Sequence, residues 1–291
     1  MTTVPTQPRP VGLAPLSLIS TAPPDLVVVA AEAGFNFIGV RVRPVTEKER
    51  RFDLQPGSPM LTETLRRLRD TGLRVLDIEF LLMDGSGEDG HGQRDAWRRM
   101  LEAGEALGAA TMTVAGADPD PERFGDTLAR LAEDARGFGI TPTLEPISYQ
   151  RINSLPSAAA AARVASVGVV VDVLHFRRFG STLDELSTMT ELVAMLQLCD
   201  GPVQRPADRE GLVREARANR LPPGEGDFRL AEIVAALPPA LPVSVEAPSP
   251  GAVERLGELG WARRLKAAAD RVLTDAAALN RNFTSPNGAA R

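Results

Sequence analysis

Short apolar runs and longer amphipathic stretches alternate along the whole chain. The runs at residues 16–19, 35–41, 74–80, 110–115, 141–145, 168–172, 192–199 and 242–246 read as strands. Most are continuous in hydrophobicity rather than alternating, as strands covered on both faces are. Between them a 3.6-residue period predicts helices over 25–33, 60–71, 93–107, 121–138, 157–166, 182–190 and 230–237, and a last, interrupted helix over 252–279. Gly34, Gly72, Gly108 and Gly139 each stand between a helix and a strand, where a C-cap is needed. Pro24-Asp25 and Asp120-Pro121 mark helix starts. Eight strand-then-helix units in 291 residues predict a single-domain α/β fold, the (β/α)8 TIM barrel, over residues 13–280. Residues 1–12 read as a disordered lead and 281–291 as a loose tail. A doubly wound sheet is the alternative. It would place a Gly-rich phosphate turn after the first strand, where this chain has ISTAPPD.

Charge and cysteine content narrow the function classes. With 33 basic and 38 acidic residues the formal net charge is −5, and the arginines are dispersed. No basic groove is visible, so nucleic acid is not an expected partner. The single cysteine, Cys199, excludes a disulfide framework within the chain and suits a reducing cytoplasm. The first residues lack an apolar signal core, and no run approaches the ~18 apolar residues of a membrane span. A cytoplasmic protein without a membrane partner is therefore expected.

Barrel chemistry is built at the carboxyl ends of the strands, so the polar residues there matter most. The second strand ends in GVRVR with Arg41, and the third in LDIEF with Glu79. The fifth ends in TLEP with Glu145, and the sixth in VVVDVLH with Asp172 and His175. The seventh ends in LQLCD with Gln197 and Asp200, and the eighth in VSVEAP with Glu246. Taken singly, each has an ordinary reading. Glu79 and Arg41 can pair with each other, Asp200 can cap a turn, His175 can be a satisfied core histidine, and Cys199 an inert small residue. Taken together, four neighbouring strands each deliver an acid or amide. Adjacent strands lie about 5 Å apart, so these groups converge and repel unless a cation offsets them. Oxygen donors favour Mg²⁺ or Mn²⁺. The loop DGSGEDGHGQ, residues 84–93, follows the third strand at the same end and reads either as a mobile lid or as a solvated loop.

On TLEP, VVVDVLH, LQLCD and PGEGDF the chain resembles the sugar phosphate isomerase/epimerase superfamily, the xylose isomerase-like TIM barrels. The resemblance implies one divalent ion, commonly Mn²⁺, on Glu145, Asp172, Gln197 and Glu246. Gln197 departs from the pattern, which has His-x-x-Asp where this chain has Gln197-Leu198-Cys199-Asp200. An amide oxygen leans towards Mg²⁺ or Mn²⁺ and away from Zn²⁺. Asp172-x-x-His175 keeps the family's Asp-x-x-His. The implied catalytic residues are Glu145, Glu246 and His175. The implied substrate-binding residues are His175, Glu79, Arg41, Asp200 and, within PGEGDF, Glu225. The arginine that many epimerases carry three residues after the strand-seven Asp is replaced by Val203, which leaves Arg205 or Arg220 to supply that charge.

The implied activity is isomerisation or epimerisation of a sugar or other polyhydroxy carbonyl compound through an enediolate. The same chemistry with a β-leaving group makes a lyase of the inosose or dehydroshikimate dehydratase kind. A noncatalytic barrel subunit is the third reading. A DNA-repair enzyme of the endonuclease IV type needs a histidine-rich zinc cluster, and this chain has only His91 and His175. A homo-oligomer, dimer or tetramer, is common in the superfamily.

Overall fold

A computed structural model describes residues 9–86 and 93–284. Eight parallel strands close into a barrel in sequential order. They are β1 (Val11–Leu13), β2 (Phe37–Arg41), β3 (Arg74–Met83), β4 (Thr111–Gly116), β5 (Thr141–Leu144), β6 (Gly168–Asp172), β7 (Val193–Leu198) and β8 (Val243–Val245). The helices are α1 (Pro23–Ala33), α2 (Pro59–Thr71), α3 (Arg94–Leu107), α4 (Pro121–Arg136), α5 (Leu155–Ala165), α6 (Val173–Arg178), α7 (Leu183–Ser187), α8 (Arg209–Ala218), α9 (Leu230–Ala235) and α10 (Pro250–Thr284). Gly34, Gly72 and Gly108 cap α1, α2 and α3 in the left-handed conformation. The expected interruption of the last helix falls at Gly257, whose dihedrals are not helical.

The first strand is the main correction. Residues 16–19 are not a strand, because Pro15–Leu18 is a 3-10 helix. The strand is the shorter Val11–Leu13, whose first two residues fall in the segment 1–12 expected to be a disordered lead. Three residues suffice there because both edges are paired, Gly12 with Phe37 and with Ser244. Pro15 cannot donate to a ladder and instead opens the helical turn. At the other end α10 runs on to Thr284, past residue 280. Two further helices, α6 and α8, escaped the period because their apolar content is low or their length is short. The loop tip at 87–92, with His91, lies outside the described residues, as do residues 1–8 and 285–291.

The main apolar core lies between the strands and the surrounding helices. A second small cluster of Phe37, Val170 and Met195 floors the barrel. Gly12 makes room for that floor, since a Cβ there would sit 2.0 Å from the Phe37 ring. Side chains two residues further along a strand share the same face. Above Met195 the inward position is therefore Gln197, paired in register with Asp172 and Ser244. Asp77, Thr113, Thr143, Gln197 and Ser244 are all buried. An interior that turns polar above its floor directs the polar strand ends to one mouth.

Candidate active site at the carboxyl ends of the strands

A cavity of about 280 Å³ opens at the carboxyl-end mouth, lined among others by Arg41, Glu79, Glu145, His175, Arg220 and Glu246. A second cavity lies at the opposite end of the barrel. Its lining pairs Lys266 with Asp270 and gives Arg9 to main-chain carbonyls, and among the described residues no carboxylates converge there.

Asp172 ends β6 and begins α6. Its Oδ1 accepts from the Leu174 and His175 amides, at 2.7 and 3.3 Å, as the N-cap of the helix. Its Oδ2 accepts from Arg220 Nη1 at 2.6 Å. Burial alone would raise this carboxyl, but the Arg220 charge, His175 and the hydrogen bonds together outweigh it and hold it below the usual range. Glu246 follows β8. Its Oε2 lies 3.0 Å from Arg220 Nη2, and its Oε1 accepts from Gln197 Nε2 at 3.3 Å. Burial pushes Glu246 up to about 8; Arg220 opposes this, while Glu79 and Asp172 add to it. Glu145 follows β5 and is raised well above the carboxylate range, by burial first and then by Glu246 and Asp172.

His175 is buried on the first turn of α6. Burial brings it down to about 4, against the pull of Asp172. It is therefore a neutral imidazole near neutral pH. Its Nδ1 lies 3.1 Å from Ser148 Oγ and 3.4 Å from the Ser148 amide, which donates to it. An accepting Nδ1 leaves the proton on Nε2, 3.9 Å from Glu145 Oε1. Tyr149 meets the imidazole edge-on at 5.5 Å.

The sequence-predicted residues do not all arrive at the cavity. Arg41 and Glu79 pair at 2.9 Å and line it. Burial raises Glu79 to about 7 despite that pairing. Asp200 is elsewhere: its carboxylate accepts from the amides of Gly201, Gly224 and Phe228 and so organises the PGEGDF turn. Glu225 reaches outward to Arg264 on α10. Arg205 donates to the Arg178 carbonyl. Cys199 is buried 3.6 Å from an Arg220 nitrogen, and burial pushes its thiol up.

Sequence reasoning missed the roof. Helix α8 sets Arg209, Val213, Ala216 and Arg217 over the cavity. A buried pair of Arg178 with Glu215, at 2.7 and 2.5 Å, ties α8 to α6. Arg217 pairs with Glu49, which faces Arg41 at 3.8 Å. The signal for α8 was the N-cap Asp208 with the i,i+4 pair Glu210–Arg214.

Does the arrangement suit a metal ion? Among the described residues, Glu145, Asp172 and His175 bring ligand atoms within 4.8 Å of one another, a possible metal-binding triad. The buried Gln197 Oε1 has no hydrogen-bond partner among the described residues, as a prospective donor would. The four-residue set does not close on one point, however, because Glu246 stands outside the triad and shares Arg220 with Asp172. The donors present fit a three-residue divalent site.

The family model for the xylose isomerase-like TIM barrel matches residues 27–271. The chain belongs to that family. No curated protein sequence matches it significantly. Several solved structures share the fold at low identity. A xylose isomerase-like TIM barrel/4-hydroxyphenylpyruvate dioxygenase fusion protein is similar at TM-score 0.80 and 18% identity, over 97% of this chain. The match spans only 46% of that protein's length. An IOLI protein with a bound zinc atom matches at TM-score 0.71 and 18% identity, covering 91% of this chain and 98% of the other. An L-ribulose 3-epimerase matches at TM-score 0.71 and 16% identity, covering 96% and 99%. Among the described residues no helix of this family member is long and apolar enough to cross a membrane.

Proposed function

We propose that the protein is an isomerase or epimerase that moves a proton beside the carbonyl of a sugar or similar polyhydroxy compound. One observation carries the reading: Glu145 and Glu246, from β5 and β8, face a single small cavity as buried carboxyls, Glu246 raised to about 8 and Glu145 raised well above the carboxylate range. A general acid or base works best when its pKa lies near the operating pH. An acid/base pair around one substrate carbon is what epimerisation requires. One carboxylate removes the α-proton, and the other carboxylic acid delivers a proton to the same or the neighbouring carbon.

The negative charge that develops on the substrate oxygens needs fixed donors. With no ion bound, the neutral His175 offers Nε2–H, a role it gives up where the same nitrogen serves as a metal ligand, and the guanidinium of Arg220 lies behind Glu246. A divalent ion, Mn²⁺ or Mg²⁺, held by Glu145, Asp172 and His175 would supply Lewis-acid polarisation of the carbonyl. Arg41, held to Glu79, and the α8 arginines Arg209 and Arg217 line the cavity and suit a hydroxylated, electron-rich ligand. The likeness to an L-ribulose 3-epimerase supports the reaction class.

The test is solvent-proton exchange. Ketopentoses, ketohexoses and keto-inositols are incubated with the protein and Mn²⁺ in D₂O and followed by NMR. Deuterium at the carbon next to the carbonyl, with an epimer or isomer formed, is expected. An ultraviolet-absorbing dehydrated product would make the protein a lyase instead. Exchange that survives intact in both Glu145→Gln and Glu246→Gln would remove the assigned pair.

A further inference from the structure

The carboxylates of this site already hold a cation, and it belongs to the chain. Arg220 is 3% exposed. Its Nη1 donates to Asp172 Oδ2 at 2.6 Å and to the Glu246 carbonyl at 3.2 Å, while Nη2 lies 3.0 Å from Glu246 Oε2. Its Nε donates to the Ala216 carbonyl at 2.8 Å. Each guanidinium nitrogen is therefore committed, in the fork geometry that suits Arg and not Lys. The backbone holds the group in place as well. Arg220 precedes Leu221, which forms an isolated antiparallel bridge with Asp200. Asp200 in turn fastens the following turn through three amides. A side chain anchored in this way is built into the barrel mouth and does not swing over it.

Gln197 agrees with this arrangement. Its amide donates towards Glu246 at 3.3 Å, the contact of a hydrogen-bonded pair rather than of two ligands sharing an ion. Among the described His, Cys, Asp and Glu residues, Glu145, Asp172 and His175 are the group close enough together to share an ion, and one oxygen of Asp172 is taken by Arg220 and the other by the α6 amides.

We infer that Arg220 is the resident counter-cation of this site: it occupies the Asp172–Glu246 edge that a divalent ion would otherwise draw together, and it competes with such an ion for Asp172. The barrel mouth consequently keeps its geometry without a metal. Divalent ions bind it weakly, and removal of the guanidinium opens a tighter site. The proton-transfer reading supplies only the location of this inference. The test reads metal uptake and not turnover, so either idea can fail alone.

The full chain, freed of metal with EDTA, is titrated with Mn²⁺ while free Mn²⁺ is followed by electron paramagnetic resonance. Wild type, Arg220→Met and Arg220→Lys are compared, with folding checked by circular dichroism. Arg220→Met removes the cation from between Asp172 and Glu246 and is expected to bind one Mn²⁺ at least ~10-fold more tightly than wild type. Its melting temperature should rise more with Mn²⁺ than that of wild type. Arg220→Lys keeps the charge but not the fork, and should bind Mn²⁺ less tightly than Arg220→Met. A folded Arg220→Met chain with unchanged or weaker Mn²⁺ affinity overturns the inference. Should Arg220→Met fold only when Mn²⁺ is present, that rescue supports it. Should it fold under neither condition, wild type decides: Mn²⁺ uptake tighter than about 100 µM, about −5.5 kcal/mol, overturns the inference, and weaker uptake supports it.

Discussion

Replacement of Glu246 by Gln turns the proposed acid/base group into one that cannot ionise while keeping its shape. In the folded protein burial lifts this carboxyl from 4.5 to about 8. At 1.36 kcal/mol per pH unit that corresponds to roughly 5 kcal/mol of differential protonation. The native state therefore keeps the proton across a window in which the unfolded chain has lost it. A group raised in this way contributes stability that is complete below pH 4.5 and is lost as pH rises to about 8. Between pH 5.5 and 7.5 the wild type should lose roughly 3 kcal/mol through Glu246, and Glu246→Gln should not. His175 works in the opposite sense. Lowered to about 4, it contributes stability that is complete above pH 6.5 and is lost as pH falls to 4. Its contribution is common to both proteins and cancels in their difference. The assay is denaturant unfolding of both at pH 5.5, 6.5 and 7.5. Wild type should be the more pH-sensitive of the two, and the difference in unfolding free energy should close or invert as pH rises. Parallel profiles would mean that Arg220 keeps Glu246 ionised throughout, which would refute the argument that burial dominates its protonation.

Three other outcomes are expected. Glu145→Gln should lower any α-proton exchange by about 10²–10⁴-fold with little change in fold, as read by NMR in D₂O. Glu215→Ala leaves the buried Arg178 charge without its bidentate partner and should cost about 3–5 kcal/mol by denaturant unfolding. Because the same pair ties α8 over the cavity, the variant should also raise KM more than it lowers kcat. Gly226→Ala places a Cβ 2.5 Å from Asp200 Oδ1 and from the Gly201 carbonyl. Overpacking there should cost about 1–3 kcal/mol, read as a lower melting temperature, and a fully stable variant would contradict the role given to Asp200.

The barrel was legible because its information is local. Continuous apolar runs of the length of buried strands, separated by helical periods closed by glycine, admit few topologies, and β2 to β8 fell where that pattern put them. Val11–Leu13 was not legible, because three residues make no period and their strand character comes wholly from the partners β2 and β8. The acids at the ends of β5, β6 and β8 were legible for the same local reason: a polar group directly after an apolar run must surface at the strand end. The departure at Gln197 showed only against the His-x-x-Asp pattern of the family that the chain resembles. What each polar group does once there is a matter of distance in space. Asp200 and Glu225 stand in motifs that suggest ligand contact, yet folding spends one on three backbone amides and the other on Arg264. Arg220 lies 48 residues from Asp172 and 26 from Glu246 along the chain, and only closure of the barrel with the α8 insertion brings its guanidinium between them. Charge type and strand position are properties of short segments. Which charges neutralise each other is decided by burial and contact, and these exist only when the barrel has closed.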